Sequence, residues 1–207
     1  MGHEYLTEKR LRTLDPQLHD RYKNCVVVSN HMLSQYQSTF PEYTDHSTLH
    51  TLEIIDSCNK LIGDQIDLLT ADDLYVLLMG ALFHDVGMGI SEKDFYSFYD
   101  ETVAGEAGTF SKEELQEQIR KNHHDLSGWF LKKYWHVFDI PNGAYAEAII
   151  QVCRGHRKTN LFDPVEFPEI FFVAEGRGVA LPYLAALIRL ADELDLAADR
   201  NSAFLYD

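Results

Sequence analysis

The chain has 207 residues, of which 45% are hydrophobic, and 18 Lys and Arg stand against 33 Asp and Glu for a formal charge of −15. That length fits one large domain at roughly 100–200 residues per domain. The acidic balance excludes a protein that coats nucleic acid regardless of sequence, which needs Lys and Arg to neutralise phosphates, and it equally disfavours an anionic membrane surface. A phosphate-bearing small molecule stays open, because a bound divalent cation reverses the local field.

In chain order, apolar residues from Pro16 to Phe40 (Leu18, Tyr22, Cys25, Val26, Met32, Leu33 and Tyr36) recur at three- and four-residue steps, which predicts an amphipathic helix that Pro41 stops. A second helix is expected from about Thr44 or Asp45 to Gly63, a residue suited to a C-terminal cap. Thr70-Ala71-Asp72-Asp73 has the spacing of an N-cap with an acidic third residue, and the apolar run Leu74 to Phe83 follows. The aromatic, acidic stretch from about 91 to 110 lacks a clean period and is expected to be a long loop with one short turn at most. Ser111-Lys112-Glu113-Glu114 is a capping box opening a further helix. Another helix covers Ala144 to about Arg154, residues 159–180 read as a connection, and Pro182 suits the first turn of a helix ending near Asp199. Strand signals are confined to Cys25–Val28 and Ile170–Val173, both short. The expectation is an all-α single domain.

Cys25, Cys58 and Cys153 are an odd number without metal-type spacing, so a disulfide framework is not expected and a reducing compartment is the simplest reading. No apolar run approaches the roughly 20 residues that span a bilayer, and the first residues lack the regions of a signal peptide. We therefore expect a cytoplasmic protein without membrane association.

The unusual entry is histidine, ten in an acidic chain. His46 and His50 are four apart and share one face of a helix. His84-Asp85 closes the apolar helix and is followed at once by Val86-Gly87. His123-His124-Asp125 falls mid-helix, and His156 ends the helix that starts near Ala144. Asp192 sits within Leu187-Ile188-Arg189-Leu190-Ala191-Asp192-Glu193-Leu194, where a carboxylate on an apolar face must be paired or bound to a cation. Each piece alone is a weak signal; the order of all of them is a stronger one.

That order, over residues about 40 to 200, resembles the HD-domain superfamily of metal-dependent phosphohydrolases. Asp45-His46-Ser47-Thr48-Leu49-His50-Thr51-Leu52-Glu53-Ile54 looks like the first-histidine helix of that superfamily. Leu82-Phe83-His84-Asp85-Val86-Gly87 looks like its namesake pair, and Leu190-Ala191-Asp192-Glu193-Leu194-Asp195 like its closing aspartate. The resemblance implies a compact helical bundle over 41–207 with a metal site at its centre, preceded by a helical segment over 1–40. The tail Leu196-Ala197-Ala198-Asp199-Arg200 is similar to HD domains that sit beside others, so a piece of a longer protein is one expectation.

Carried over residue by residue, the resemblance makes one first-helix histidine, His84, Asp85 and Asp192 the ligands of a primary metal. His50 is favoured over His46 because Ile54 follows it at the usual spacing; His46 would then be a proton donor or substrate contact, and the reverse assignment stays open. His123 and His156 resemble the histidines that hold a second metal in some branches, whereas His124 would be solvated. One or two divalent ions are implied, and imidazole plus carboxylate suits Mn, Fe, Co, Ni, Zn or, less well, Mg. Arg154, Arg157, Lys158 and Arg189 are candidates for holding substrate phosphates.

Departures narrow the substrate. Met88 replaces both the Lys of cyclic-dinucleotide phosphodiesterases and the His of deoxynucleoside triphosphohydrolases, no Gly-Tyr-Pro element follows, and Ala191-Asp192-Glu193 replaces the Ala-Asp-Arg of alarmone hydrolases. Hydrolysis of a phosphate ester or anhydride in a nucleotide-like small molecule is the first expectation. The second is a regulatory module that keeps the pocket but senses a nucleotide without turnover. An oligomer is compatible with either.

Overall fold

The computed structural model describes residues 5–33, 48–102, 109–157 and 159–204. Eight α-helices lie among them: α1 (Leu6–Leu14), α2 (Pro16–Leu33), α3 (Thr48–Ile62), α4 (Ala71–Phe83), α5 (Glu92–Thr102), α6 (Lys112–Tyr134), α7 (Gly143–Gly155) and α8 (Leu181–Phe204). Short 3₁₀ turns over Gly63–Leu68, Val86–Gly89 and Trp135–Phe138 follow α3, α4 and α6. Strands β1 (Phe171–Ala174) and β2 (Arg177–Val179) form an antiparallel hairpin between α7 and α8. The architecture is all-α, with that hairpin as its only sheet among the described residues.

The apolar run at 74–83 becomes the central rod, because a helix that is hydrophobic on every side must be surrounded. Every residue of α4 from Asp72 to Phe83 is buried, and α1, α2, α3, α7, α8 and β2 pack around it. Each fully buried Leu, Ile or Phe contributes about 1.5–3 kcal/mol relative to an exposed one, so this rod anchors the fold energetically. Its N-terminus is fixed by the expected capping box, in which Thr70 Oγ1 accepts from Asp73 N–H and the Asp73 carboxylate accepts from Thr70 N–H. Asp72 meanwhile accepts two hydrogen bonds from Arg177 and one from the Tyr145 hydroxyl, tying the hairpin and α7 to the same helix end. Among the described residues no single helix is long and apolar enough to cross a membrane.

The second capping box is also formed, on Ser111 and Glu114. Pro182 lies in the first turn of α8, which runs on to Phe204, beyond the expected Asp199. Gly63 ends α3 with a φ of +52°, and the stretch that contains Pro41, Thr44 and Asp45 lies outside the described residues.

One expectation is corrected. The stretch at 91–110 begins with a true helix, α5, rather than a loop: Ser91 Oγ accepts from Asp94 N–H at 3.1 Å, and Phe95 and Phe98 are buried one turn apart. Cys25–Val28 is helical, inside α2; Cys25 faces the core while Val27 is 73% exposed, the turn-by-turn variation of a helix. The run at Ile170–Val173 does supply a strand.

Candidate metal centre

Helix α4 delivers His84 and Asp85 at its C-terminal end, in the interior, where α3, α6, α7 and α8 bring the remaining groups. His50, His84, Asp85, His123, His156 and Asp192 are all buried. Their mutual placement depends on a close approach between the Val86–Gly89 turn and α6. A Cβ on Gly87 would lie 2.2 Å from the His123 carbonyl oxygen and 2.7 Å from Ser127 N, so only glycine fits. Gly87 N–H donates to Ser127 Oγ at 2.8 Å, and Ser127 Oγ donates to the His84 carbonyl at 2.8 Å. Ser127 thereby spaces His84 from His123.

The four imidazoles are held by a common device. His84 Nδ1 donates to the Ala81 carbonyl at 2.8 Å, His123 Nδ1 to that of Arg120 at 2.6 Å, and His156 Nδ1 to that of Cys153. A carbonyl can only accept, so each Nδ1 carries a proton, and in the neutral ring Nε2 is left with the lone pair. For His50 the acceptor is the Asp195 carboxylate, 2.8 Å from Nδ1. The lone pairs then face one another: His50 and His84 Nε2 are 3.3 Å apart, and His123 and His156 Nε2 are 3.0 Å apart.

Asp85 lies between these two pairs and divides its oxygens. Oδ1 is 3.3 Å from His123 Nε2 and 3.6 Å from His156 Nε2, whereas Oδ2 is 3.6 Å from His84 Nε2 and 3.8 Å from His50 Nε2. Asp192 Oδ1 adds an oxygen 3.6 Å from His50 Nε2. Two groups, His50-His84-Asp85 and Asp85-His123-His156, each bring their ligand atoms within 4.8 Å of one another.

Burial pushes the His123 imidazolium down to about 4, against the opposing charge of Asp85, and drives His156 well below its ordinary value. Neutral imidazole is the form a cation binds. Burial raises Asp192, with the His84 and His50 charges acting the other way. Four imidazole Nε2 atoms and two carboxylates thus converge in the buried interior. Such a pocket is electrostatically unfavourable empty and complementary to positive charge. The buried His and Asp groups fit one divalent metal ion or two, and the set contains no thiol; Cys153 is buried with its pKa raised by desolvation.

Of the three candidate phosphate contacts among the described residues, Arg157 alone reaches this centre, with Nη1 3.9 Å from Asp192 Oδ2. Arg154 instead pairs with Asp125 at 2.8 Å and with Glu166. Arg189 donates to the carbonyls of Gly155 at 2.9 and 2.6 Å and of Thr159 at 2.8 Å, satisfying orphan acceptors at the end of α7. These partners account for both guanidinium groups. His46 and Lys158 lie outside the described residues. His124 is partly exposed and pairs with Asp125 at 3.4 Å. Sequence reasoning assigned nothing to Asp195 or Ser127; the signal available for Asp195 was its place three residues after Asp192, on a neighbouring part of the same helix face.

A helical bundle with a buried His–Asp pair at the end of its central helix and further histidines from flanking helices defines an HD-type domain. A model of the HD-CE family, a family of HD-type domains, matches residues 40–207, and the chain belongs to that family. No curated protein and no solved structure matches it.

Proposed function

We propose that this domain is a metal-dependent phosphohydrolase that cleaves a phosphate ester or anhydride bond in a nucleotide-like small molecule. The observation that carries this reading is the division of the Asp85 oxygens between two imidazole pairs whose lone pairs face one another. His50, His84, Asp85 and Asp192 would hold one divalent ion, and Asp85, His123 and His156 a second. A bound pair of divalent ions supplies a water-derived nucleophile near neutral pH and charge stabilisation for phosphoryl oxygens.

The side chains do the rest. Asp85, between both halves, fixes their separation and accepts the hydrogen bond of an attacking water. Asp195 holds His50 in one tautomer and makes its ring more basic. Arg157, a third exposed and beside Asp192, holds a phosphoryl oxygen of the substrate at the mouth of the pocket. His46, four residues before His50 in the sequence, is the proposed proton donor to the leaving oxygen.

Metal analysis of the purified protein, followed by a screen of nucleotides and phosphate esters with Mn, Ni and Mg, tests the proposal. Turnover that depends on metal and disappears in His84→Ala and Asp85→Ala is expected. Bound metal with no turnover on any substrate would remove the enzymatic half of the proposal, and a chain that takes up no metal after supplementation would remove both halves.

A further inference from the structure

We propose that a cleft of about 470 Å³ between α5, α6 and α7 is a second small-molecule site, for a planar, amino-bearing heteroaromatic ring that carries one anionic group. Its volume falls within the roughly 300–1,000 Å³ of small-molecule sites. None of the six converging side chains of the metal centre lines it. The two sites use different faces of the same helices, since His123 points inward whereas Asn122, Trp129 and Lys132 follow an adjacent stripe of α6.

The lining chemistry selects the ligand. Phe98, Tyr99 and Trp129 supply aromatic surface, with the Phe98 and Trp129 rings edge to face at 6.3 Å. Such surface favours a flat π-system. Gly128 keeps the floor open: a Cβ there would meet Ile150 Cγ2 at 3.1 Å and the Arg154 stem at 3.4 Å, so any larger side chain would fill the space between α6 and α7.

The polar groups then discriminate. Asn122 uses its amide nitrogen on the Gln118 carbonyl at 2.8 Å, which leaves its oxygen as an acceptor in the cleft. Glu147 accepts from Gln151 Nε2 on one carboxylate oxygen at 3.2 Å and keeps the other. Two acceptors call for a ring that donates, hence an amino substituent. Arg154 is neutralised by Asp125 and Glu166, whereas Lys132 has no ion-pair partner among the described residues. An ammonium without such a partner there calls for an anion. The cleft needs no metal, so binding there is independent of the proposed hydrolysis.

The probe is AMP, titrated calorimetrically into the full chain after metal has been stripped, with adenosine and inorganic phosphate as separate arms. Saturable binding of one AMP per chain is expected, with adenosine about tenfold weaker for loss of the charge-assisted contact and phosphate not measurably bound. Lys132→Glu, at an exposed position of α6, should weaken AMP by at least about tenfold and leave adenosine nearly unchanged. Trp129→Ala should weaken both. The proposal is overturned if AMP does not bind saturably. It is overturned equally if Lys132→Glu and Trp129→Ala both bind AMP as the parent does, or if Arg157→Ala beside the metal centre removes the binding.

Discussion

Asp195 tests how far one atom outside the inner set controls the pocket. Its carboxylate accepts from His50 Nδ1 at 2.8 Å with 18% of the side chain exposed. Asp195→Asn keeps an acceptor oxygen of the same shape and removes the charge, so the ring stays oriented but becomes less basic. A group that hydrogen-bonds to the outer nitrogen of a metal-bound histidine is worth about 10–100-fold in metal affinity or activity. Chelator competition should therefore show weaker metal binding in Asp195→Asn, weaker still in Asp195→Ala, with the circular-dichroism spectrum unchanged. Equal affinities in all three proteins would mean that the contact is only structural. His123→Ala and His156→Ala pose a complementary question about stoichiometry. Each should lower the bound metal, measured by elemental analysis, from two equivalents to one; an unchanged ratio would reduce the Asp85-His123-His156 group to a hydrogen-bonded cluster. At this scale the inner residues were legible because imidazole and carboxylate have few other reasons to recur in apolar helices in that order. Asp195 and Ser127 were not, because their roles exist only where α3 meets α8 and where the turn after α4 meets α6.

The elements carry a different kind of information, namely how closely they approach. Gly87 holds the Val86–Gly89 turn against α6, and a methyl group there would sit 2.2 Å from a backbone oxygen, which cannot rotate away. Overpacking of this type costs about 1–3 kcal/mol. Gly87→Ala should lower the thermal midpoint and, by moving His123 from Asp85, also weaken metal binding. Gly143 opens α7 and would meet nothing within 4 Å, so Gly143→Ala should be neutral or slightly stabilising, as Gly→Ala is at a compatible position. Parallel thermal melts of the two variants check the contrast; equal midpoints would show that α6 shifts freely and that the close approach is not required. Capping chemistry made α4 and α6 readable, since Thr70 and Ser111 each precede an acidic residue by three positions and an apolar face follows. Helix α5 had the same signal in Ser91 and Asp94, with Phe95, Phe98 and Tyr99 at helical spacing. It was obscured because the stretch was averaged with the glycine-containing residues beyond it, which dilute the period. The hairpin was legible only in part: β1 has strand-forming residues, but β2 is Arg177-Gly178-Val179, and its pairing depends on Arg177 reaching Asp72 across the fold.

For the whole molecule, the side chains that converge on Asp85 come from α3, α6, α7 and α8, separated along the chain by up to 142 positions between His50 and Asp192. An ion in that pocket would add a further tie between helices already joined by the His50–Asp195, Arg154–Asp125 and Arg189–Gly155 contacts. The formal charge of −15 is that of the metal-free chain, and two divalent ions would remove about four units of it where the carboxylates are most crowded. Binding to the folded state alone stabilises by RT ln(1 + [L]/Kd), about 2.7 kcal/mol at a free concentration 100 times Kd. For a domain of this size that corresponds to roughly 5–11 °C, at about 2–4 °C per kcal/mol. Chelation should lower the midpoint by this order and added Mn or Zn should restore it, the shift growing with metal concentration. Asp85→Asn separates this linkage from non-specific ion effects. It removes one buried negative charge and offers the Nε2 lone pairs an amide donor, so the metal-free variant should melt no lower than the metal-free parent while losing most of the metal-dependent rise. A midpoint that responds to metal equally in parent and variant would place the stabilising ion elsewhere on the acidic surface, and a midpoint that ignores metal in both would leave the converging lone pairs without the cation that their geometry calls for.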